Sequence, residues 1–202
     1  MDLIKDISTV IKDIQQGKPV IIVDDADREF EGDLTIAAQK ANKYNLNFMQ
    51  KHGRGLMCIP CMQSRLDQLK IPMMIENQTD KYETPFTFSV DSSSAETGVS
   101  IDDRLKVVDT FIDYNSKPEE LVSPGHLFPL RARQGLLKER QGHTEASVEL
   151  VKFAGLEPIS IIIEIMNDDG SMTKGQQLID FAKTYFLSII SVKEIYNAVY
   201  NS

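Results

Sequence analysis

The run ISIIIEI at Ile159–Ile165 holds five isoleucines in seven positions. Branching at Cβ stiffens these side chains and favours a pleated, packed backbone. The run sits between Pro158 and the polar segment MNDDG, so it predicts a buried strand with a single carboxylate, Glu164, set in it. Shorter apolar runs repeat the signal. Val20–Val23, residues 55–60, Thr84–Val90 and LSII near residue 190 read as strands, and LTIAAQKA reads as a strand running into a helix. Between them the apolar period changes to that of helices. Leu3, Ile4, Ile7, Val10, Ile11 and Ile14 form one stripe, ended by Gly17 and Pro19. SRLDQLK is a short helix stopped before Pro72, and residues 174–186 are another. Ser100 caps a helix from Ile101 with Asp103 at its third position, and Ser191 with Glu194 has capping-box spacing before a final helix. DSSSAETG and residues 115–126 read as loop. His143–Leu150 alternates like a half-buried strand, yet a helix beginning there fits the local pattern equally well.

Strands and helices so interleaved, without an internal repeat or a linker, predict an α/β (α+β) fold. The expectation is a single mixed-sheet domain over 1–202, flanked by helices in three layers. A length of 202 residues with 42% hydrophobic content suits one core. Basic residues number 22 against 30 acidic, for a net charge of −8, which disfavours nucleic acid as a partner. No apolar run approaches a membrane span and MDLIKDISTV is not a signal peptide, so no membrane and a cytoplasmic location are expected. There is no GxGxxG and no GxxxxGK[ST]. Cys58 and Cys61 form CIPC, for which buried thiols are the reading and a redox pair the alternative.

Chemistry concentrates where Val20–Val23 opens into DDADREFEGD, residues 24–33. If Asp25–Asp33 is extended, Asp25, Asp27, Glu29, Glu31 and Asp33 share one side and Arg28 takes the other. Carboxylates so crowded repel unless a cation joins them. Each histidine has glycine beside it, in HGRG at His52, SPGHLFPLRA at His126 and ERQGHTEA at His143. With Arg28, Arg54, Arg131, Arg133 and Arg140, this inventory suits a hard divalent cation, a phosphate held by arginine forks, and proton transfer between carbon and oxygen. The residues by themselves leave a metal-dependent isomerase or aldolase, and a cation- or phosphosugar-binding protein, as alternatives.

Six ordered segments carry a resemblance that spans nearly the whole chain: DDADREFEGD (24–33), HGRGLMCIP (52–60), TGVSIDDR (97–104), SPGHLFPLRA (123–132), RQGHTEAS (140–147) and EIMNDDG (164–170). The chain resembles the 3,4-dihydroxy-2-butanone 4-phosphate synthases of riboflavin biosynthesis. In YETPF (82–86), Glu83 stands where glycine is common in that family. The resemblance implies a lyase that converts D-ribulose 5-phosphate into L-3,4-dihydroxy-2-butanone 4-phosphate and formate. It implies a route through a divalent-metal-stabilised enediolate, dehydration, skeletal rearrangement and loss of C4. It implies Mg²⁺, with Mn²⁺ as the alternative, at two ions per site, and a homodimer with sites near the subunit interface. Glu29 and His143 match the metal ligands. His126, Glu164, Glu29 and Asp33 match the catalytic set. Arg28, Glu29, Asp33, Thr97, Ser100, Asp102 and Arg104 match substrate-binding positions. So do Arg140, Gln141, Gly142, His143, Thr144 and Glu164. Family members also occur fused to a GTP cyclohydrolase II-type domain, which a chain of this length does not hold, so a stand-alone synthase is expected.

Overall fold

A computed structural model describes residues 6–24 and 31–201 of the chain. Among the described residues, seven strands form one mixed sheet: β1 (Val20–Val23), β2 (Gly32–Ala37), β3 (Cys58–Met62), β4 (Val90–Ser92), β5 (Leu121–Ala132), β6 (Ser160–Glu164) and β7 (Ser188–Ser191), in the order β4-β5-β3-β6-β2-β1-β7. β1–β7 and β3–β5 are parallel, and β1–β2, β2–β6, β3–β6 and β4–β5 are antiparallel. The seven α-helices are α1 (Ile7–Gln15), α2 (Lys43–Gly53), α3 (Gln63–Gln68), α4 (Ile101–Ile112), α5 (His143–Phe153), α6 (Gln176–Tyr185) and α7 (Val192–Tyr200).

The alternation of side chains along each strand splits the core in two. Ile21, Leu34, Ile36, Ile59, Ile161 and Ile163 pack with α2, α3, α4 and α6, while Val20, Ile22, Ala37 and Ile190 pack with α1, α5 and α7. The isoleucine run thus feeds the first face through positions 161 and 163 and leaves Ile162 and Glu164 for the second. The expected three-layer α/β arrangement is present, and every fully buried isoleucine in it contributes about 1.5–3 kcal/mol of hydrophobic stabilisation.

Several local expectations hold. Ser100 Oγ accepts from Asp103 N (3.1 Å) and Ser191 Oγ from Glu194 N (3.1 Å), with Glu194 closing the capping box. Residues 143–153 resolve as helix rather than strand. Every residue from His143 to Val151 is buried, so no polar face marks the helical period.

Other expectations change. The strand at LTIAAQKA ends in a single 3-10 turn (Ala38–Lys40), and a helix follows at α2, started by reciprocal Asn42–Asn45 capping. Of Thr84–Val90 only an isolated bridge from Phe86 to Leu130 and the first residue of β4 join the sheet, while Thr87 bridges Met73 outside it. Residues 121–126, expected as loop, begin the longest strand. SPG does not break β5, because Ser123 Oγ donates to Ser89 O (2.8 Å) and Gly125 N donates to Ser89 Oγ (3.1 Å), so side chains replace the regular ladder. The β4 register shifts between Val90 and Asp91 at this point.

Gly125 packs directly on the Val90–Asp91 peptide, and a Cβ there would collide with backbone rather than with a movable side chain. Gly125→Ala is therefore expected to destabilise the fold by about 1–3 kcal/mol, read as a lower urea midpoint at unchanged m-value. An unchanged midpoint would show that the β4–β5 approach is not fixed by this contact.

Candidate active site

The second face of the sheet carries a cavity of about 160 Å³ below the N-terminus of α5. Its floor is set by strand register. Asp33 on β2 lies directly opposite Glu164 on β6, and both carboxylates line the cavity. Like charges placed opposite each other across an antiparallel pair repel. Arg140, His143 and Thr144 close the cavity from the α5 side, and Cys58, Leu130 and Ile162 give it an apolar wall. Thr84 and Phe86, from the segment between α3 and β4, complete the rim.

Glu164 is held by the HGRG turn. Its Oε2 accepts from Leu56 N (2.8 Å), and Gly55 N donates to Glu164 O (3.2 Å). A Cβ on Gly55 would lie 2.8 Å from Glu164 Cβ, which only glycine avoids. The glycines of HGRG therefore serve the carboxylate, not the histidine. His52 faces elsewhere: its Nδ1 is 2.9 Å from Tyr185 Oη, its ring packs on Phe48 and Tyr185, and burial lowers its pKa, helped by Lys51 and Arg54.

α5 has Gly142 as its N-cap with no capping side chain, so the positive end of the helix dipole points at the cavity beside Arg140. Arg140 is fixed by two partners. Nη1 donates to Glu145 Oε2 (2.6 Å), and Nε and Nη2 donate to the Tyr82 carbonyl (3.2 and 3.0 Å). The turn that offers Tyr82 O has Glu83 at φ 50°, a left-handed conformation that glycine adopts more readily. Glu83 spends the side chain gained there on Arg133 Nη2, at 3.3 Å.

The remaining sequence-predicted residues fall into three groups. Asp33, Arg140, His143, Thr144 and Glu164 meet in the cavity, with Gly142 buried at the helix start and Gln141 exposed beside it. Arg28 and Glu29 lie outside the described residues, as does most of the acidic alternation expected over Asp25–Asp33. The described residues on either side of that segment, Asp24 and Glu31, are joined by Glu31 N donating to Asp24 Oδ1 at 2.8 Å.

Thr97, Ser100, Asp102, Arg104 and His126 do not line the cavity. Thr97 N donates to Asp103, Asp102 pairs with Lys43 (2.7 Å), and Arg104 Nε donates to Val99 O (3.1 Å). Asp103 is the residue that organises this loop. Lys106, then the N–H groups of Thr97 and Glu96 and the Ser100 hydroxyl, hold its carboxyl well below the usual carboxylate range against burial. On half-exposed His126, Nδ1 is 2.7 Å from Asp91 Oδ2, and the backbone N donates to Asp91 Oδ1 (2.9 Å). Sequence reasoning passed over Asp91 and Glu145, whose partners lie far along the chain or across a loop.

Among the described residues, no group of three or more His, Cys, Asp and Glu converges as a metal site. Asp33 and Glu164 still face one cavity beside His143, and carboxylate oxygens are the donors that Mg²⁺ and Mn²⁺ take, so the cavity chemistry fits a divalent ion.

Comparisons with known proteins bear on the family and the fold. The family model for 3,4-dihydroxy-2-butanone 4-phosphate synthase matches residues 8–198. A 3,4-dihydroxy-2-butanone 4-phosphate synthase of Photobacterium phosphoreum is 46% identical over 187 residues, covering 92% of this chain and 52% of that protein. A riboflavin biosynthesis protein RibBA of Endomicrobium trichonymphae is 47% identical over 192 residues, covering 95% of this chain and 48% of that one. The crystal structure of a 3,4-dihydroxy-2-butanone 4-phosphate synthase in complex with two magnesium ions superposes with a TM-score of 0.93 at 34% identity, covering 98% of both chains. The fold and the cavity define a chain with a mixed seven-stranded sheet and an acid-lined site. It belongs to the 3,4-dihydroxy-2-butanone 4-phosphate synthase family. The chain spans about half the length of the curated relatives it matches.

CIPC has no redox geometry. Residues three apart on a strand point to opposite faces, and here Cys58 packs with Leu130 and Ile162 while Cys61 packs in the other core layer. Both are free and buried. Burial pushes the Cys61 thiol up to about 12, and pushes Cys58 well up too, with the Glu164 and Asp33 charges adding to it. Neither thiol is expected to react with a disulfide reagent at pH 8 until the protein unfolds. Rapid labelling of the native protein would contradict this placement.

Proposed function

We propose that the chain converts D-ribulose 5-phosphate into L-3,4-dihydroxy-2-butanone 4-phosphate and formate, as a lyase of riboflavin biosynthesis. The observation that carries the reading is the pairing of Asp33 with Glu164 beneath an uncapped helix N-terminus and an arginine fork. Phosphate and carbon chemistry have separate places in one cavity. Arg140, with the N–H groups of the Arg140–Thr144 segment, holds the phosphate. Asp33 and Glu164 then face the sugar carbons and oxygens, where they accept and return protons. Thr144 adds a hydroxyl near the helix start, and Cys58, Leu130 and Ile162 limit water on one side.

Glu29 and His143 are the proposed protein ligands of Mg²⁺, with Mn²⁺ as the alternative and two ions per site. Bound there, the cation would neutralise the crowded carboxylates and polarise substrate oxygens. Arg28 is proposed to reach the substrate from the acidic segment. A homodimer belongs to the same reading. It gives His126 a role that its own cavity does not, because the half-exposed ring is held by Asp91, whose backbone pairs with Val122 at the β4 edge of the sheet. Thr97, Ser100, Asp102 and Arg104 would act from the same side. The substrate is a phosphosugar, no nucleic acid is involved, and the cytoplasm is the proposed location. No helix among the described residues is long and apolar enough to cross a membrane.

The test is formate release from D-ribulose 5-phosphate by the full chain. With Mg²⁺, one equivalent of formate per sugar is expected, and excess EDTA is expected to abolish it. Substrate loss without formate would assign the chain to sugar-phosphate isomerisation or aldol chemistry instead.

A further inference from the structure

Arg140 has five N–H groups, and three of them are engaged by Glu145 Oε2 and the Tyr82 carbonyl. The two left over are what the cavity offers to a ligand. Their direction depends on the plane of the guanidinium, which its long, flexible stem does not fix. The Tyr82 carbonyl fixes one edge of that plane and Glu145 the other. Glu145 is fully buried on the third position of α5, and each of its oxygens is used: Oε1 accepts from Arg133 N (3.1 Å) and Oε2 from Arg140 Nη1. One turn later, Glu149 repeats the arrangement by accepting from Leu137 N (3.2 Å) and Tyr200 Oη (2.6 Å). Two buried carboxylates on one helix thus clamp the 133–140 connection, and the first of them reaches through it to the arginine in the cavity.

Glu149 holds a backbone N–H and a tyrosine hydroxyl, whereas Glu145 gives one oxygen to a charged side chain that lines the cavity, a charge-assisted bond with a fixed direction. The geometry points to Glu145 as a positioning residue that sets the Arg140 fork for the phosphate of the substrate, without touching the substrate itself. This inference rests on the phosphosugar reading of the cavity. It goes further by assigning a determinant of phosphate affinity to a residue outside the cavity lining.

Because the phosphate ester itself is left unchanged by the reaction, misplacing the fork chiefly removes binding shared by ground and transition states. Glu145→Gln is expected to raise KM for D-ribulose 5-phosphate about tenfold, the loss of one charge-assisted hydrogen bond, while kcat stays within about threefold. Binding of inorganic phosphate, measured by calorimetry, is expected to weaken by a similar factor. Arg140→Lys already lacks the fork, so adding Glu145→Gln to it is expected to change KM little further. Glu145→Asp, with its carboxylate drawn back by one methylene, shifts KM in the same direction and serves if the glutamine variant does not fold. Unchanged KM and phosphate affinity in a folded Glu145 variant overturn the inference, as do effects of the two substitutions that multiply independently. Weakened phosphate binding in the variant, with no formate made by the unaltered chain, keeps the positioning role and removes the proposed reaction. Formate release with unaltered phosphate binding in the variant does the reverse.

Discussion

The site depends on the pairing of β2 with β6. The register that buries Leu34 and Ile36 against Ile163 and Ile161 on one face also fixes Asp33 opposite Glu164 on the other. Slipping β2 by one residue would send Asp33 into the apolar layer and take Leu34 and Ile36 out of it, so the register is enforced by hydrophobic burial on the far side of the sheet. The fold thereby stabilises an arrangement that is electrostatically unfavourable on its own. Repulsion between the carboxylates is opposed by the packing of several isoleucines, each contributing about 1.5–3 kcal/mol, and it is relieved where a cation or a proton joins them.

The rest of the cavity is built outward from that pair. Gly55 lets the HGRG turn lie on Glu164 and donate to it, and α5 brings its uncapped N-terminus over the same floor. The helix does so as a buried element, tied to β6 by Ser160 Oγ donating to Ser147 Oγ at 2.8 Å and to the 133–140 connection by Glu145 and Glu149. Rigid elements thus carry the acid pair, the imidazole and the arginine. The segment that offers Tyr82 O and the rim residues Thr84 and Phe86 is held to them by the Arg140 bonds, by the Glu83–Arg133 pair, and by β5 through Arg131 N donating to Pro85 O and Thr87 N donating to Pro129 O.

What was legible in the sequence follows from how local each determinant is. The Ile159–Ile165 strand and the Ser100 and Ser191 caps are written in neighbouring residues, and the structure places them within a residue or two of expectation. The start of β5 was not legible, because SPG reads as a turn and only the distant Ser89 keeps it in the sheet. α5 was ambiguous because burial on all sides erases the polar face that periodicity needs. The cavity residues Asp33, Arg140, His143, Thr144 and Glu164 were found through the resemblance, whereas their convergence is a product of the sheet order. Glu145 was invisible: an acid in the first turn of a helix reads as a complement to the helix dipole, and its burial beneath Arg140 is a tertiary fact. The departure at Glu83 acquires a reason only from its left-handed backbone.

The opposed carboxylates have a thermodynamic signature that does not require turnover. Glu164→Gln removes one charge while keeping an acceptor for Leu56 N. Its melting temperature in EDTA is predicted to lie above that of the unaltered chain, and the rise on adding Mg²⁺ is predicted to be smaller, because the ion stabilises the folded state in proportion to its affinity for it. A variant that melts lower in EDTA and gains as much from Mg²⁺ as the unaltered chain would contradict the account, since Asp33 and Glu164 would then be neither in repulsion nor part of a cation site.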